Sequence, residues 1–179
     1  MRKQCLGILV LVLAIGGHIN APLFAQNAPQ TPAATSPAPP PQTIDLSTAK
    51  KMVAAAEAAA VAMNAHVAIC VVDSNGDVVL SERMDTATAR AVTSSQGKAR
   101  AALLFQLPTA QIADAMRGGK PISATLTPPL VGNWEITIQQ GGLPIVKNGK
   151  VVGAIGAGGS ASANDEKFAQ AGIDAVAEK

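Results

Sequence analysis

Residues 141–160, "GGLPIVKNGKVVGAIGAGGS", constrain the fold of this chain more than any other segment. Two runs rich in β-branched residues flank Asn148-Gly149, and such a dipeptide between apolar runs is the strongest short-range signal for a β-hairpin. The second run carries glycines at positions 153, 156, 158 and 159, in a spacing that does not match the dinucleotide-binding fingerprint. Because glycine inside a strand usually marks the close approach of another backbone or of a ligand, the segment predicts either tight packing or a ligand-contacting loop.

The remaining sequence predicts helices that alternate with strands. Apolar periodicity favours a helix over about 48–64, capped by Ser47, and a second helix over 86–105. A short helix opens at Pro108, and a final helix over 163–178 starts at a capping box, Ser162–Asp165. Further strands are predicted at Val67–Asp73, which is apolar enough for burial on both faces, at 78–84 and at Trp134–Ile138. Since hairpins dominate, we expect an α/β (α+β) domain with an antiparallel sheet covered by helices.

The first 43 residues predict export rather than folded structure. A basic start, "MRK", and the apolar run "CLGILVLVLAIGG" are typical of a secretory signal peptide over residues 1–25, cleaved after Ala25. Residues 26–43 contain six prolines and no charge, which favours an extended, disordered linker. We therefore expect a single folded domain over 44–179, in a periplasmic or secreted protein without membrane insertion after cleavage.

The charge balance limits the classes of partner. The chain has 14 basic and 12 acidic residues, and because Arg2 and Lys3 lie in the predicted signal peptide, residues 26–179 carry 12 of each. No basic stripe indicates a nucleic-acid partner, and no cationic amphipathic helix indicates a membrane surface. A domain with a net charge near zero self-associates more easily than a highly charged domain does.

One histidine and one cysteine remain after the predicted cleavage, His66 and Cys70. On a strand, residues four apart stand about 13 Å apart, so the two cannot share a metal or form a nucleophile pair unless the strand is bent. A structural zinc site needs about four ligands, which these residues cannot supply. Cys70 is expected to be buried, whereas His66 is either a single axial ligand of a haem or a histidine hydrogen-bonded at a strand start.

Two further patterns leave alternatives open. Ser95 and Lys98 match the S-x-x-K pattern, which places a hydroxyl and an amine on one helix face, but the other motifs of Ser–Lys enzymes are absent. Lys98 is then either a contact to an acidic ligand group or a solvated side chain. Arg83 and Asp85 end the second strand and either recognise a carboxylate or form a surface ion pair.

Five segments in this order resemble the GlcG/HbpS-like haem-binding family over residues 44–179. They are "VAICVVDSNGDVVLSERMD", "GKARAALLF", "PTAQIADA", "GGLPIVKNGKVVGAIGAGGS" and "DEKFAQAGIDA". The resemblance implies a profilin-like domain with a five-stranded antiparallel sheet flanked by helices, and a homo-oligomer, commonly an octamer. Exported relatives bind haem and are linked to haem sensing or breakdown, and in relatives the GGLP and GAIG segments build the sheet edge and the rim of the ligand site.

From this resemblance we expect an exported, oligomeric haem (tetrapyrrole)-binding protein that acts in haem sensing or handling. His66 is the expected axial metal ligand, Arg83 and Lys98 pair with the propionates, and Gly141 and Gly142 allow close approach. A rival reading is a binding module for a small carboxylate or hydroxy acid, with the same cations and no metal. A third is an enzyme that degrades haem with peroxide, for which the sequence shows no acid–base pair.

Overall fold

The structure is a computed structural model that describes residues 43–125 and 135–177. The predicted signal peptide, all of the predicted linker but its last residue, and Trp134 lie outside the described residues. The elements in chain order are α1 (Leu46–Ala62), β1 (Ala68–Asp73), β2 (Val78–Arg83), α2 (Ala89–Phe105), α3 (Thr109–Arg117), β3 (Gly142–Lys147), β4 (Lys150–Gly158) and α4 (Ser162–Asp174). None of these helices is long and apolar enough to cross a membrane.

The sheet is antiparallel throughout, with the strand order β2-β1-β4-β3. The predicted mixed α/β class with helices flanking an antiparallel sheet is confirmed, but the predicted count of five strands is wrong, since the described residues form four. Residues 135–138, expected to complete the fifth strand, pair with no strand. The amide of Thr137 instead donates to the carbonyl of Gly97 in α2, at 3.1 Å, so this segment is bonded to a helix rather than to the sheet.

Helices cover both faces of the sheet, and β1 shows how the two faces divide. Ile69 and Val71 belong to the larger apolar cluster, which includes residues of α1 and α4. Cys70 and Val72 point the other way, into a cluster with residues of α2. All four side chains are buried, which confirms the prediction of a strand buried on both faces.

The glycines of the hairpin lie where α2 meets the sheet. Gly142 of β3 and Gly156 of β4 are paired neighbours in the ladder. A Cβ on Gly156 would lie 2.6 Å from the amide nitrogen of Ala99 and closer still to the carbonyl oxygen of Ser95. A Cβ on Gly142 would likewise meet the carbonyl of Lys98. The backbone of α2 therefore rests directly on the backbones of β3 and β4, which is the packing alternative of the sequence analysis.

The helix starts differ from the predicted caps. Asp45, rather than Ser47, caps α1, and its carboxylate accepts the Thr48 amide at 2.7 Å and the Ser47 hydroxyl at 2.9 Å. The hydrogen bond from the Thr48 amide is the main reason that the pKa of Asp45 lies below its usual value. The predicted capping box of α4 does not form: Ala161 stands at the cap, no side chain caps the helix, and Asp165 is buried in other contacts.

Candidate functional site

A surface cleft of about 360 Å³ lies at the end of the sheet where β1 begins. Three connections form it: the end of α1 with the turn that follows, the segment between β2 and α2, and the turn between β4 and α4. We call it the His66 cleft. Its lining residues are Met63, Asn64, Ala65, His66, Thr86, Ala87, Thr88, Gly159 and Ser160.

His66 is exposed in this cleft, and a backbone carbonyl fixes its ring. Nδ1 lies 3.0 Å from the carbonyl oxygen of Asp85. Because a carbonyl oxygen only accepts, Nδ1 must carry the proton, which leaves Nε2 in the neutral ring without one. Metal-bound histidines usually show this arrangement, in which one ring nitrogen donates to a carbonyl and the other binds the metal. The imidazole is thus oriented as a single metal ligand would be.

The end of α1 next to the His66 cleft carries exposed apolar side chains, and one residue of the cleft wall has a strained backbone. Val61 and Met63, at the end of α1, are 61% and 45% exposed. Thr86 has a φ of +68°, which is an outlier for a β-branched residue because its side chain crowds the backbone there. Strain of this kind concentrates at functional sites, where the surrounding structure holds it in place. The strained backbone of Thr86 therefore supports this cleft as the candidate site.

A buried ion pair lies behind the wall of the cleft. Lys98 Nζ donates to Asp165 Oδ2 at 2.7 Å, and each side chain is 2% exposed. Asp165 Oδ1 accepts the backbone amide of Ser160, a lining residue of the cleft, at 3.1 Å. The alternative of Lys98 as a solvated side chain is therefore wrong, because α2 directs its ammonium into the interior.

The two predicted binding glycines, Gly141 and Gly142, both contact Lys98. A Cβ on Gly141 would lie 2.9 Å from Lys98 Nζ, and the backbone there has a φ of +127° that side chains rarely adopt. The amide of Gly142 donates to Thr109 Oγ1 at 2.9 Å. The structure thus brings Lys98, Gly141 and Gly142 together in the interior, apart from the lining residues of the cleft.

Arg83 is exposed at the end of β2, opposite Ala68 in the ladder. It therefore lies at the same end of the sheet as His66, although it does not line the cleft. Within the ranges that the structure describes, no ion pair joins Arg83 to Asp85. The surface-pair alternative is thus not observed, and the guanidinium remains a candidate for carboxylate recognition.

The predicted nucleophile motifs do not assemble. Ser95 Oγ donates to the carbonyl of Val92 at 2.9 Å, and Lys98 is bound to Asp165, so the S-x-x-K pattern forms no Ser–Lys pair. Cys70 is buried as predicted, and that burial raises the pKa of its thiol to about 12. In the described parts of the chain, no three His, Cys, Asp or Glu side chains group as a metal site. Among the described residues, His66 stays a candidate for a single axial ligand.

A larger groove, of about 760 Å³, lies between the start of α1, the β3–β4 turn and the end of α4. Aliphatic side chains such as Ile44, Val146 and Ile173 form much of its lining. None of the residues that the sequence analysis proposed for binding lines it. The smaller cleft is therefore the better functional candidate, because it contains the described histidine.

Asp165 was not predicted as a site residue, although its sequence context carries a signal. Asp165 is buried together with Phe168, Ala169 and Gly172, at the three- and four-residue steps of one helix face. An acid within an otherwise apolar stripe indicates a buried charge that needs a partner. The capping-box pattern gave it a different explanation, and nothing in the local sequence identifies Lys98, which is 67 residues away.

Comparisons with known proteins agree on one family. The family model described as "Haem degrading protein HbpS-like" matches residues 44–174. An uncharacterised 15.0 kDa protein from the dhaT-dhaS intergenic region of Citrobacter freundii is 37% identical over 136 residues, which cover 76% of this chain and 94% of that protein. Protein GlcG of Escherichia coli K12 is 33% identical over 108 residues, or 60% of this chain and 75% of GlcG.

Solved structures give the same result. Protein ORFY of Klebsiella pneumoniae has a TM-score of 0.68 and 32% identity, and the match covers 82% of this chain and all of ORFY. A double mutant of Streptomyces reticuli HbpS has a TM-score of 0.70 and 27% identity, and the match covers 84% of this chain and 99% of that one. The haem complex of PduOC, at 21% identity and a TM-score of 0.64 over 74% of this chain and 94% of that one, shares the fold.

Proposed function

Because this chain belongs to the HbpS-like family, we propose that it binds haem, with His66 as the axial ligand of the iron. The observation that carries the proposal is the orientation of the His66 ring. Its Nδ1 lies 3.0 Å from the Asp85 carbonyl oxygen, an arrangement that in the neutral ring leaves Nε2 as the nitrogen with a lone pair, and the side chain is exposed in the cleft. A bound haem would supply a redox-active iron, while the protein would supply the ligand, the walls and the charges.

The His66 cleft alone is small for a haem, so we propose that a second copy of the chain completes the site. A volume of about 360 Å³ is near the lower end of the range for small-molecule sites. The exposed side chains of Val61 and Met63 extend the apolar surface beyond the cleft. A homo-oligomer that joins two such surfaces would enclose the porphyrin and remove this apolar area from water.

We propose Arg83, rather than Lys98, as the partner of a propionate. Arg83 is exposed at the same end of the sheet as His66, and guanidinium groups bind carboxylates in a two-pronged geometry. Lys98 would have to leave Asp165, which would strand a carboxylate that is 2% exposed. Gly141 and Gly142 are packed against the protein's own atoms, so their role is to admit Lys98 and α2 rather than a ligand.

We also propose that the protein is exported and acts outside the cytoplasm. The predicted signal peptide over residues 1–25 and the proline-rich segment 26–43 favour a periplasmic or secreted protein that is tethered or spaced by its linker. In such a compartment, a haem-binding oligomer would act in haem sensing or handling.

The proposal is tested by titrating haemin into residues 26–179 and following the Soret band. Wild type is expected to give a saturable, shifted band, and His66→Ala a different one, because the iron loses its nitrogen ligand. In His66→Gly, added imidazole is expected to restore the wild-type spectrum by occupying the vacated space. Arg83→Ala should weaken binding while leaving the band position unchanged, whereas Arg117→Ala, on the exposed surface of α3, serves as the charge-matched control.

The outcomes separate the candidate functions. If His66→Ala binds haemin with the wild-type spectrum, the ligand assignment is wrong. If absorbance rises without saturation in every variant, haem adsorbs nonspecifically and the haem proposal is refuted. In that case a rise in Tm with small carboxylic or hydroxy acids would support the metal-free binding module instead.

A further inference from the structure

The buried pair Lys98–Asp165 is connected to the His66 cleft by one hydrogen bond. Both Asp165 oxygens are used: Oδ2 accepts Lys98 Nζ at 2.7 Å, and Oδ1 accepts the Ser160 amide at 3.1 Å. Ser160 and the adjacent Gly159 line the cleft. A single carboxylate thus ties α2 and α4 to the cleft wall.

The position of the Gly159–Ser160 turn affects His66, because the two segments are in contact. A Cβ on Gly159 would lie 2.9 Å from the carbonyl oxygen of His66, so the turn packs directly against the backbone of the proposed ligand residue. The turn has no helix cap of its own, because Ala161 offers no side-chain hydrogen bond at the start of α4. Among the described contacts, Asp165 is the side chain that holds the Ser160 amide.

We propose that Asp165 is a positioning residue of the His66 cleft and that Lys98 holds its carboxylate in place. The effect on ligand binding rests on the proposed function, whereas the effect on the Gly159–Ser160 turn does not. Asp165 does not touch the ligand; it fixes the Gly159–Ser160 turn against His66, and the Lys98 ammonium compensates its buried negative charge. Outer residues that orient a metal ligand typically change affinity by 10- to 100-fold when removed.

The test uses a variant that keeps the fold while removing the hydrogen bond. In Lys98→Met/Asp165→Leu both buried charges are replaced by apolar groups of similar size, which is often neutral or stabilising. The matched control is Asp174→Asn, on the exposed end of the same helix, where the carboxylate only accepts a bond from Gln170. Residues 26–179 contain the whole described domain and are used for every variant.

Two measurements decide the proposal. In the haemin titration, the folded double variant is expected to bind about 10-fold more weakly, with an altered Soret band, while Asp174→Asn matches wild type. In the ligand-free protein, amide hydrogen exchange at Ser160 is expected to be at least about 10-fold faster in the double variant, because its acceptor is gone. A folded double variant with wild-type affinity, spectrum and Ser160 exchange overturns the inference.

Failure of the proposed function is distinguishable from failure of this inference. If wild type does not bind haemin, the haem proposal is refuted, and Ser160 exchange alone decides whether Asp165 positions the turn. Faster exchange at Ser160 in the double variant but not in Asp174→Asn then supports the positioning role, and equal exchange in all three proteins overturns it.

Discussion

The contact between α2 and the sheet predicts that Gly156→Ala is among the more destabilising small substitutions available in this domain. The new methyl group would lie 2.6 Å from the Ala99 amide nitrogen and closer to the Ser95 carbonyl oxygen, whereas ordinary contact begins at 3.4 Å. Both neighbours are backbone atoms of α2, so no side chain can rotate away. The helix would have to retreat by about 1 Å, and overpacking of this kind costs about 1–3 kcal/mol or more.

Because both neighbours are backbone atoms, the overpacking cost is expected at the upper end of that range, about 3 kcal/mol. Alanine recovers about 0.5–1 kcal/mol over glycine inside a strand, so the expected net loss is about 2–2.5 kcal/mol. Urea unfolding of residues 26–179, followed by circular dichroism, should show a midpoint lower by at least about 1 M. The control is Gly149→Ala in the β3–β4 turn, where φ is +74° and nothing lies within 4 Å. That variant should lose only about 1–2 kcal/mol, through backbone strain. If Gly156→Ala proves as stable as Gly149→Ala, the tight contact between α2 and the sheet is refuted.

Three further predictions concern titratable groups. Lys98→Met alone should lower the free energy of unfolding by about 3–5 kcal/mol, because it leaves Asp165 charged and buried, and adding Asp165→Leu should recover most of that loss in urea unfolding. Burial raises the pKa of Glu57 above 4.5, with Glu82 nearby adding to the shift, so this group's contribution to stability falls as pH rises from 4.5 through the raised pKa. Because Glu57 is only partly buried, Glu57→Gln should therefore raise the free energy of unfolding by about 0.5 kcal/mol or less at pH 7, and not at pH 4. Thermal unfolding at the two pH values measures this, and an equal rise in Tm at both would contradict it. Cys70, whose pKa is raised to about 12, should react with a disulfide reagent at pH 8 in urea but not in the native protein, and rapid native labelling would show that the thiol is not buried.

Much of the fold was predictable because local patterns and packing agree. The β3–β4 hairpin follows from Asn148-Gly149, and Val67–Asp73 was correctly predicted as a strand buried on both faces, observed over Ala68–Asp73. Residues 135–138 were not correctly predicted. Their β-branched pattern favours a strand, but the Thr137 amide is bonded to Gly97 in α2. Strand propensity indicates only that a segment is able to pair in a sheet. Whether a sheet edge lies close enough for it to pair depends on the tertiary structure.

Only the features of the candidate site that depend on local sequence were predictable. His66 was identified because it is the single histidine after the predicted cleavage, and its position before a buried strand placed it at the end of the sheet. Lys98 was proposed as a contact to an acidic ligand group or a solvated side chain, and its burial against Asp165 was not predicted, since the S-x-x-K spacing cannot show what α2 packs against. Asp165 was assigned to a cap that does not form, because a capping acid and a buried acid have the same local sequence.

By itself, the sequence determined the helices, the four strands and the position of the hairpin turn, because these depend on periodicity and turn geometry, but it wrongly added a strand at residues 135–138. Only the tertiary structure decided that the hairpin glycines seat α2, that Lys98 and Asp165 meet across 67 residues, and that Asp165 holds the wall beside His66. The physical reason is that a buried charge takes its partner from whatever the packed core brings within about 3 Å, and that distance is set by the fold as a whole rather than by neighbours in the chain.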